Sequence, residues 1–290
     1  MATHFPLVLL SLSFWLLLHF GSILLTPAIY PAYKRLPGRT RTQWHVHFVA
    51  LAHAVIIVPL AAAQWYEVRE GGGLKGSSHP LAQNRTYGYT KEAGNVYAVT
   101  LGYFIWDLVV SALFDGPAFI AHGAVAMMAF TFVYHPIFMY DGFGFLLWEL
   151  STPFLNIHWF MDKCGLTGSS YQLINAFFLL SSYIVARLTF GVYNSYSWFQ
   201  HVNFPQHPHV PAIPLGLKVF YSVGNVVLNT LNFVWFRAMI AAVLKRFDGS
   251  SAKKGEKQDE ASRIDRKAEK EAGIGSEARD EVRRRVVGEK

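Results

Sequence analysis

Residues 144–162 read GFLLWELSTPFLNIHWFMD, an apolar stretch that nevertheless contains a glutamate, an asparagine and a histidine. Such groups are costly in hydrocarbon unless they are paired or face a wet cavity. Glu149 and Asn156 are seven residues apart, and on an α-helix that spacing puts two residues on one face. That face is therefore predicted to point into the protein interior, where polar groups from other parts of the chain must pair with it.

The chain is rich in apolar residues, and these are gathered into runs of membrane-spanning length. Hydrophobic residues make up 52% of its 290 positions. A helix needs about 20 apolar residues to cross a bilayer, so we expect an all-α polytopic membrane protein with about seven transmembrane helices. The first run could instead be a cleaved signal peptide, but it lacks a basic leader and continues too far, which favours an uncleaved span. The expected spans are residues 5–30, 44–64, 96–114, 118–134, 144–162, 171–193 and 215–244.

The distribution of charge argues against a nucleic-acid-binding protein. The net charge is +7, but 14 of the 26 Lys and Arg residues lie from residue 245 onward, where they are mixed with 11 acids. Basic residues within 34–41 and directly after the last span predict the cytosolic side, which gives a lumenal N-terminus and a cytosolic C-terminus. The expected organisation is a leading helix (1–34), a membrane domain (35–244) and a charged, disordered cytosolic tail (245–290). Asn84 begins an N-R-T sequon, which would be open to glycosylation only on the lumenal side.

The ionisable residues inside expected spans include Asp107, Glu149 and Arg187. Each would cost about 3 kcal/mol or more if it faced lipid, so all three are expected to point inward. Two interpretations remain open. Arg187 could pair with one carboxylate and fix the helix register, or the three could line a polar pocket that holds a lipid head group or supports acid–base chemistry. His122 would be the general base of such a pocket, with a carboxylate to orient it, unless it is an inert structural histidine.

No metal or cofactor is expected. Cys164 is the single cysteine, so it can form neither an internal disulfide nor a zinc site. The chain has no phosphate-binding loop and no G-x-S-x-G nucleophile motif. Histidines cluster in the second span and in the segment before the last span without a matching set of ligands: His45, His47, His53, His201, His207 and His209.

Several motifs together resemble the TLC family, named for TRAM, LAG1 and CLN8. Trp44-x-x-His47 followed by His53 resembles the family's opening W…H motif. Residues 102–108, GYFIWDL, resemble its G-Y-F-x-x-D-L segment, and residues 149–156, ELSTPFLN, resemble its E-x-S-T-x-F-L-N segment.

Two single residues fit the same pattern. His122 stands where the family places a histidine after the aspartate helix, and Arg187 matches a basic residue near the end of a later helix. The similarity spans about residues 35–245 and within the family points to the TMEM56-like TLC-domain-containing proteins. It implies a helical barrel of six spans plus one leading helix, residence in the endoplasmic reticulum, and a role in lipid metabolism or lipid homeostasis.

The leading hypothesis is a protein that binds or senses a membrane lipid or fatty acyl chain inside the barrel. The expected binding residues are Arg187, Asn156, Ser111, Trp106 and His53.

Two alternatives remain open. One is a lipid acyltransferase related to ceramide synthase, with His122 as general base and Asp107 or Glu149 orienting it. Against it, Gly123 follows His122 where the synthases have a second histidine, and E-L-S-T-P replaces their acidic H-D-x-x-D stretch. The other is a trafficking or cargo adaptor that acts through the charged tail, with residues 283–285 as a retention signal.

Overall fold

The structure is a computed structural model that describes residues 3–70, 78–204 and 211–247. The chain divides into two compact units, Met1–Val234 and Trp235–Lys290. Of the second unit, the structure describes only the end of the last helix, which closes at Phe247. The predicted tail beyond this point, and His207 and His209, lie outside the described residues.

The described residues form ten α-helices joined by short irregular segments. One 3₁₀ segment, Pro31–Arg35, joins α1 to α2; a second, Leu147–Ser151, joins α6 to α7; and a π-helix, Ile184–Phe190, joins α8 to α9. The α-helices are α1 (Phe5–Ile29), α2 (Gly38–Glu70), α3 (Pro80–Gln83), α4 (Lys91–Phe114), α5 (Pro117–Phe132), α6 (Met139–Leu146), α7 (Thr152–Lys163), α8 (Ser170–Tyr183), α9 (Gly191–Asn203) and α10 (Leu215–Phe247).

The all-α polytopic fold is confirmed. In the described part of the chain, five helical stretches are long and apolar enough to cross a membrane: Phe5–Ile29, Gly38–Arg69, Lys91–Phe114, Ser170–Asn203 and Leu215–Leu244.

The other two expected spans differ from simple long helices. The fourth is α5, an apolar helix of 16 residues. The fifth, 144–162, is not one α-helix, because the 3₁₀ segment Leu147–Ser151 interrupts it.

The sixth expected span, 171–193, is shorter than the observed helical path, which continues through α9 to Asn203. Asn194 and Ser195 are buried against other helices, and Trp198 packs in an aromatic cluster. The polar residues that follow residue 193 thus belong to the inner side of a helix.

The leading helix α1 packs closely on α4 through a stripe of small residues. Gly94, Ala98 and Gly102 recur every fourth residue on α4, the spacing that lets two membrane helices approach. A Cβ atom on Gly102 would lie 2.6 Å from the Ser11 side chain and 2.7 Å from the backbone of α1. The Ser11 hydroxyl donates a hydrogen bond to the carbonyl of Val99 (2.8 Å).

The other helices of the first unit close into a ring of six spans. Helix α2 packs on α4, α6 and α7; α4 packs on α5; and α7 packs on α8. Helix α10 completes the ring through long side chains, because the Tyr221 hydroxyl donates to the Ala129 carbonyl of α5 (2.8 Å) and the Tyr183 hydroxyl of α8 donates to the Asn232 carbonyl (2.9 Å). These two contacts are made by the ends of long side chains, whereas Gly224 of α10 lies close to Val125 of α5.

The small-residue contact between α1 and α4 can be tested by filling it. We expect Gly102→Leu to lower the free energy of unfolding by about 1–3 kcal/mol, the usual cost of overpacking, because the new side chain would collide with the backbone of α1. Gly21→Leu is the matched control, since a Cβ atom on Gly21 meets nothing within 4 Å. Denaturant titration in detergent micelles would measure both. Equal stability of the two variants would contradict this packing.

Candidate functional site

A cavity of about 100 Å³ lies inside the six-span ring, and we call it the central cavity. Its walls are mainly aromatic and aliphatic, contributed by α4, α5, α6, α9 and α10. Five polar or charged residues also line it: His122, Asp141, Glu149, Arg187 and Asn225. Asp141 and Glu149 are eight residues apart along α6 and its 3₁₀ extension, which places them about 12 Å apart along the helix. The cavity thus has an apolar middle with charged groups towards both ends.

Arg187 is the residue around which one end of the cavity is built. It is buried, and it lies within the π-helix. Its Nε donates to the carbonyl of Trp148 (3.0 Å) and to the hydroxyl of Ser151 (3.1 Å). Nη1 donates to Asn232 Oδ1 (3.0 Å), and Nη2 donates to Thr152 Oγ1 (3.2 Å). All four acceptors are neutral, so this cation is held chiefly by dipoles contributed by three elements, the 3₁₀ segment, α7 and α10.

Glu149 is the counter-ion of Arg187, but the contact between them is loose. The distance from Arg187 Nη2 to Glu149 Oε1 is 3.7 Å, which is an ion pair without a hydrogen bond. The guanidinium also lies 5.2 Å from the centre of the Tyr183 ring. Because its donors are engaged by neutral acceptors, Arg187 neutralises Glu149 without enclosing it, and the carboxylate stays on the cavity wall.

Both charged residues lie where the regular helix is broken. Glu149 is in the 3₁₀ segment and Arg187 is in the π-helix, and such departures are frequent at functional sites. Close packing of the two segments depends on Gly191, where a Cβ atom would collide with the indole nitrogen of Trp148.

His122, on α5, reaches the same cavity from the opposite side. Its ring lies 6.2 Å from that of Phe104. The neighbouring Gly123 packs against α4, and a Cβ atom there would lie 3.2 Å from both Asp107 Oδ2 and the Leu108 backbone. A second histidine at this position would need α4 and α5 to separate, so the missing second histidine has a steric explanation.

The structure brings together only three of the proposed site residues, His122, Glu149 and Arg187. Asp107 is not on the cavity lining but between α4 and α5, beside Gly123. Ser111 is buried one turn further along α4 and is also absent from the lining. Of the two carboxylates expected to orient His122, Glu149 shares the central cavity with it and Asp107 does not.

Asn156 is buried, as its predicted inward face requires, but it does not line the central cavity with Glu149. Asn156 Oδ1 pairs with His47 Nδ1 on α2 (2.6 Å), and its Nδ2 donates to the Thr152 carbonyl (2.9 Å). Asn156 thus joins α7 to α2 outside the central cavity.

Trp106 on α4 and His53 on α2 lie where these two helices meet α1. The Trp106 ring is 5.7 Å from that of His19. The His53 ring stacks on Tyr103 at 3.6 Å and 4°, and among the described residues neither of its nitrogens has a hydrogen-bond partner. Neither residue lines the central cavity.

The remaining histidines have separate structural partners. His45 bridges the hydroxyls of Ser22 (2.8 Å) and Tyr33 (2.7 Å). His201 lies on α9, not in a loop, and pairs with the Thr86 hydroxyl (2.8 Å). Within the described residues, no three His, Cys, Asp or Glu side chains are grouped so as to hold a metal ion.

The second charged end of the cavity was missed by sequence reasoning. Asp141 is buried, and its carboxylate accepts hydrogen bonds from Arg85 Nε (3.0 and 3.1 Å) and forms an ion pair with Arg85 Nη2. Arg85 lies in the segment before α4, outside the spans. Burial alone would lower its pKa, but the charge and hydrogen bonds of Asp141 raise the pKa above its ordinary value.

The backbone at this end is held in an uncommon conformation. Phe138, a cavity-lining residue, has φ of 57° and ψ of 27°, a left-handed geometry that costs a non-glycine residue about 1–3 kcal/mol. Its N–H donates to the Thr86 carbonyl (2.7 Å), and its ring packs edge-on against Trp198 (5.3 Å). The sequon turn is built into the same end, because Asn84 Oδ1 accepts from the Tyr87 N–H (2.9 Å).

Fold and site together define a polytopic helical membrane protein with a polar-lined cavity inside its bundle. The chain belongs to the TLC domain family, whose model matches residues 43–241. An uncharacterized TLC domain-containing protein of Schizosaccharomyces pombe is 34% identical over 250 residues, covering 85% of this chain and 81% of that protein. A second, from Saccharomyces cerevisiae, is 26% identical over 80% of this chain and 71% of its own length. Human TLC domain-containing protein 4 is 24% identical over 77% of this chain and 82% of its own length.

Arg187 makes four hydrogen bonds to neutral acceptors but only a loose ion pair with Glu149, and this difference can be tested by substitution. We expect Arg187→Met to cost about 3–5 kcal/mol of unfolding free energy, because it leaves Glu149 buried without its cation. Glu149→Gln should cost less, since Arg187 keeps its four neutral acceptors. The double variant should recover part of the loss.

Lys163→Met is the control for that series. Lys163 and Asp162 form a partly exposed pair (2.8 Å), and such pairs contribute at most about 1 kcal/mol. If Arg187→Met were no more destabilising than Lys163→Met in denaturant titration, Arg187 would not be the organising residue of the site.

Proposed function

We propose that this protein binds or senses a membrane lipid in the central cavity and thereby acts in lipid homeostasis in the endoplasmic reticulum or a related membrane. The observation that carries the proposal is the loose pairing of Arg187 with Glu149. A purely structural ion pair would bring the guanidinium into hydrogen-bond contact with the carboxylate and would need no cavity. Here the distance is 3.7 Å, and both residues face a cavity.

The chemistry of the lining fits an amphipathic ligand. Its middle is mainly aromatic and aliphatic, which suits an acyl chain. One end presents His122, Glu149 and Arg187 to a polar group. The volume of about 100 Å³ is enough for several waters or part of a chain, and small against the 300–1,000 Å³ typical of ligand sites. Binding of a whole lipid would therefore require α10 to move outward from the ring.

Side chains make the contacts that such a movement of α10 would have to change. Helix α10 meets α5 through Tyr221 and the edge-on pair Phe132–Phe220 (5.1 Å). These contacts can slide or open with changes of rotamer, whereas the contact of α4 with α5 at Gly123 is close to the backbone. A lumenal N-terminus and a cytosolic C-terminus, as the basic loop indicates, remain part of the proposal.

An acyltransferase is the second candidate, because His122 and Glu149 share the cavity. It would need a general base within reach of the reacting amine or hydroxyl, and an acid or base to orient it. Asp107 does not line the cavity, so only part of the expected catalytic set is in place. We therefore rank lipid binding first.

Lipid occupancy of the cavity can be measured with a fatty acid that carries a photoactivatable diazirine. We expect crosslinked peptides from α5, α6 and α10, and we expect Ala129→Phe to reduce them by filling the cavity. Ala112→Phe is the matched control, since Ala112 is exposed on α4. Crosslinks confined to the outer surface and unchanged in Ala129→Phe would rule out binding in the cavity.

The two candidates separate on a lipid profile of cells that express variants in place of the natural protein. Lipid binding predicts that Ala129→Phe alters the profile while His122→Gln, which keeps a hydrogen-bonding side chain, largely preserves it. An acyltransferase that uses His122 as base predicts that both variants match the null strain.

A further inference from the structure

A second concavity lies on the outer side of α1, α2 and α7, away from the central cavity. It has a volume of about 640 Å³, within the range of ligand sites, and we call it the outer groove. Leu17 and Leu25 on its α1 wall are 73% and 60% exposed, so the groove opens to the surroundings. Its walls are almost wholly apolar and include Phe14, Leu17, Gly21, Leu25, Phe48 and Leu51.

The floor of the groove is left open by Gly21. A Cβ atom on this residue would meet nothing within 4 Å, so none of the described helices fills the space beside α1 at this level. In a membrane, such a channel between helices is occupied by lipid chains.

One end of the groove is closed by aromatic side chains. Tyr30 stacks on Trp44 (5.5 Å between ring centres, 11° between planes), and Trp44 packs edge-on against Phe160 (4.7 Å). Tyrosine and tryptophan concentrate at the level of lipid head groups, so this end of the groove marks the membrane interface.

A cluster of exposed cations continues directly from the aromatic end. Tyr30 leads into the 3₁₀ segment Pro31–Arg35, and α2 begins at Gly38 and reaches Trp44 in its second turn. Four basic residues lie exposed on this short stretch: Lys34, Arg35, Arg39 and Arg41.

These cations have no acidic partner within ion-pair distance among the described residues. The acids at this end of the bundle are already engaged, because Asp115 accepts a hydrogen bond from the Gln43 side chain (2.8 Å) and Asp162 pairs with Lys163 (2.8 Å). Positive charge here is therefore available to a ligand.

The geometry points to a binding site for an anionic glycerophospholipid in the outer groove. One acyl chain lies along Leu17, Gly21 and Leu25, and the phosphate head group meets the cations of residues 34–41. The apolar walls, the aromatic end and the unpaired cations follow one another in the order of the chemical layers of such a lipid. This site is separate from the central cavity and does not depend on the function proposed for it.

The test uses the full chain, delipidated in detergent and titrated with phosphatidylserine or with phosphatidylcholine of the same acyl chains. Native mass spectrometry then counts bound lipids. We expect one tightly bound phosphatidylserine and weaker binding of phosphatidylcholine. Each basic residue near an anionic lipid contributes about fivefold in affinity, so Arg39→Gln with Arg41→Gln should weaken phosphatidylserine binding by roughly that factor per charge.

Matched variants separate the groove from non-specific adsorption. Gly21→Leu should reduce binding by filling the groove, whereas Gly216→Leu, another glycine with open space around it, should not. Lys91→Gln with Lys218→Gln removes two cations elsewhere and should have no effect.

Three results would overturn the proposal. They are equal binding of the two lipids, binding unchanged in Gly21→Leu, and loss of phosphatidylserine binding in Ala129→Phe, which would assign that lipid to the central cavity. A thermal unfolding curve for each variant establishes that it is folded.

Discussion

A guanidinium buried inside a helical membrane bundle needs acceptors for its N–H groups, and this need organises the structure. Arg187 meets it with two groups in the 3₁₀ segment, Thr152 at the start of α7 and Asn232 on α10. These elements are distant in sequence, so the single side chain joins three of the six spans. Since only neutral groups accept its hydrogen bonds, the charge of Glu149 is balanced at a distance and stays accessible from the cavity.

The helix irregularities follow from the same constraint. In an uninterrupted α-helix, the carbonyl of Trp148 would be engaged within its own helix. The 3₁₀ segment directs backbone and side-chain acceptors towards the π-helix, and Gly191 lets the two segments come close. At the other end of the cavity, Phe138 holds a left-handed backbone conformation beside the Arg85–Asp141 pair. Departures from regular geometry thus occur at both charged ends of one apolar cavity.

Much of this could be predicted from sequence, for a physical reason. A charged or strongly polar residue in a long apolar run has to face the interior, and this places His122, Glu149 and Arg187 together. The sequence did not separate Asn156 from this group, because an inward-facing position does not report which neighbour the side chain meets, and Asn156 pairs with His47 on α2. The sequence did not single out Asp141 and Arg85 as site residues, because each lies outside an expected span, where a charged residue is ordinary. The apolar runs predicted the seven spans, and the family resemblance added the expectation that six of them form a barrel with one leading helix.

The central claim is that Arg187 leaves Glu149 free to meet a ligand inside the ring. The most direct measurement is an experimental structure of the protein purified from its membrane into lipid nanodiscs. The account predicts elongated density along α6 from Asp141 towards Glu149, with a polar end within hydrogen-bond distance of His122 or Glu149, and with Arg187 on its neutral acceptors. A cavity without such density, in which Arg187 is hydrogen-bonded directly to the carboxylates of Glu149 and Asp107, would contradict it.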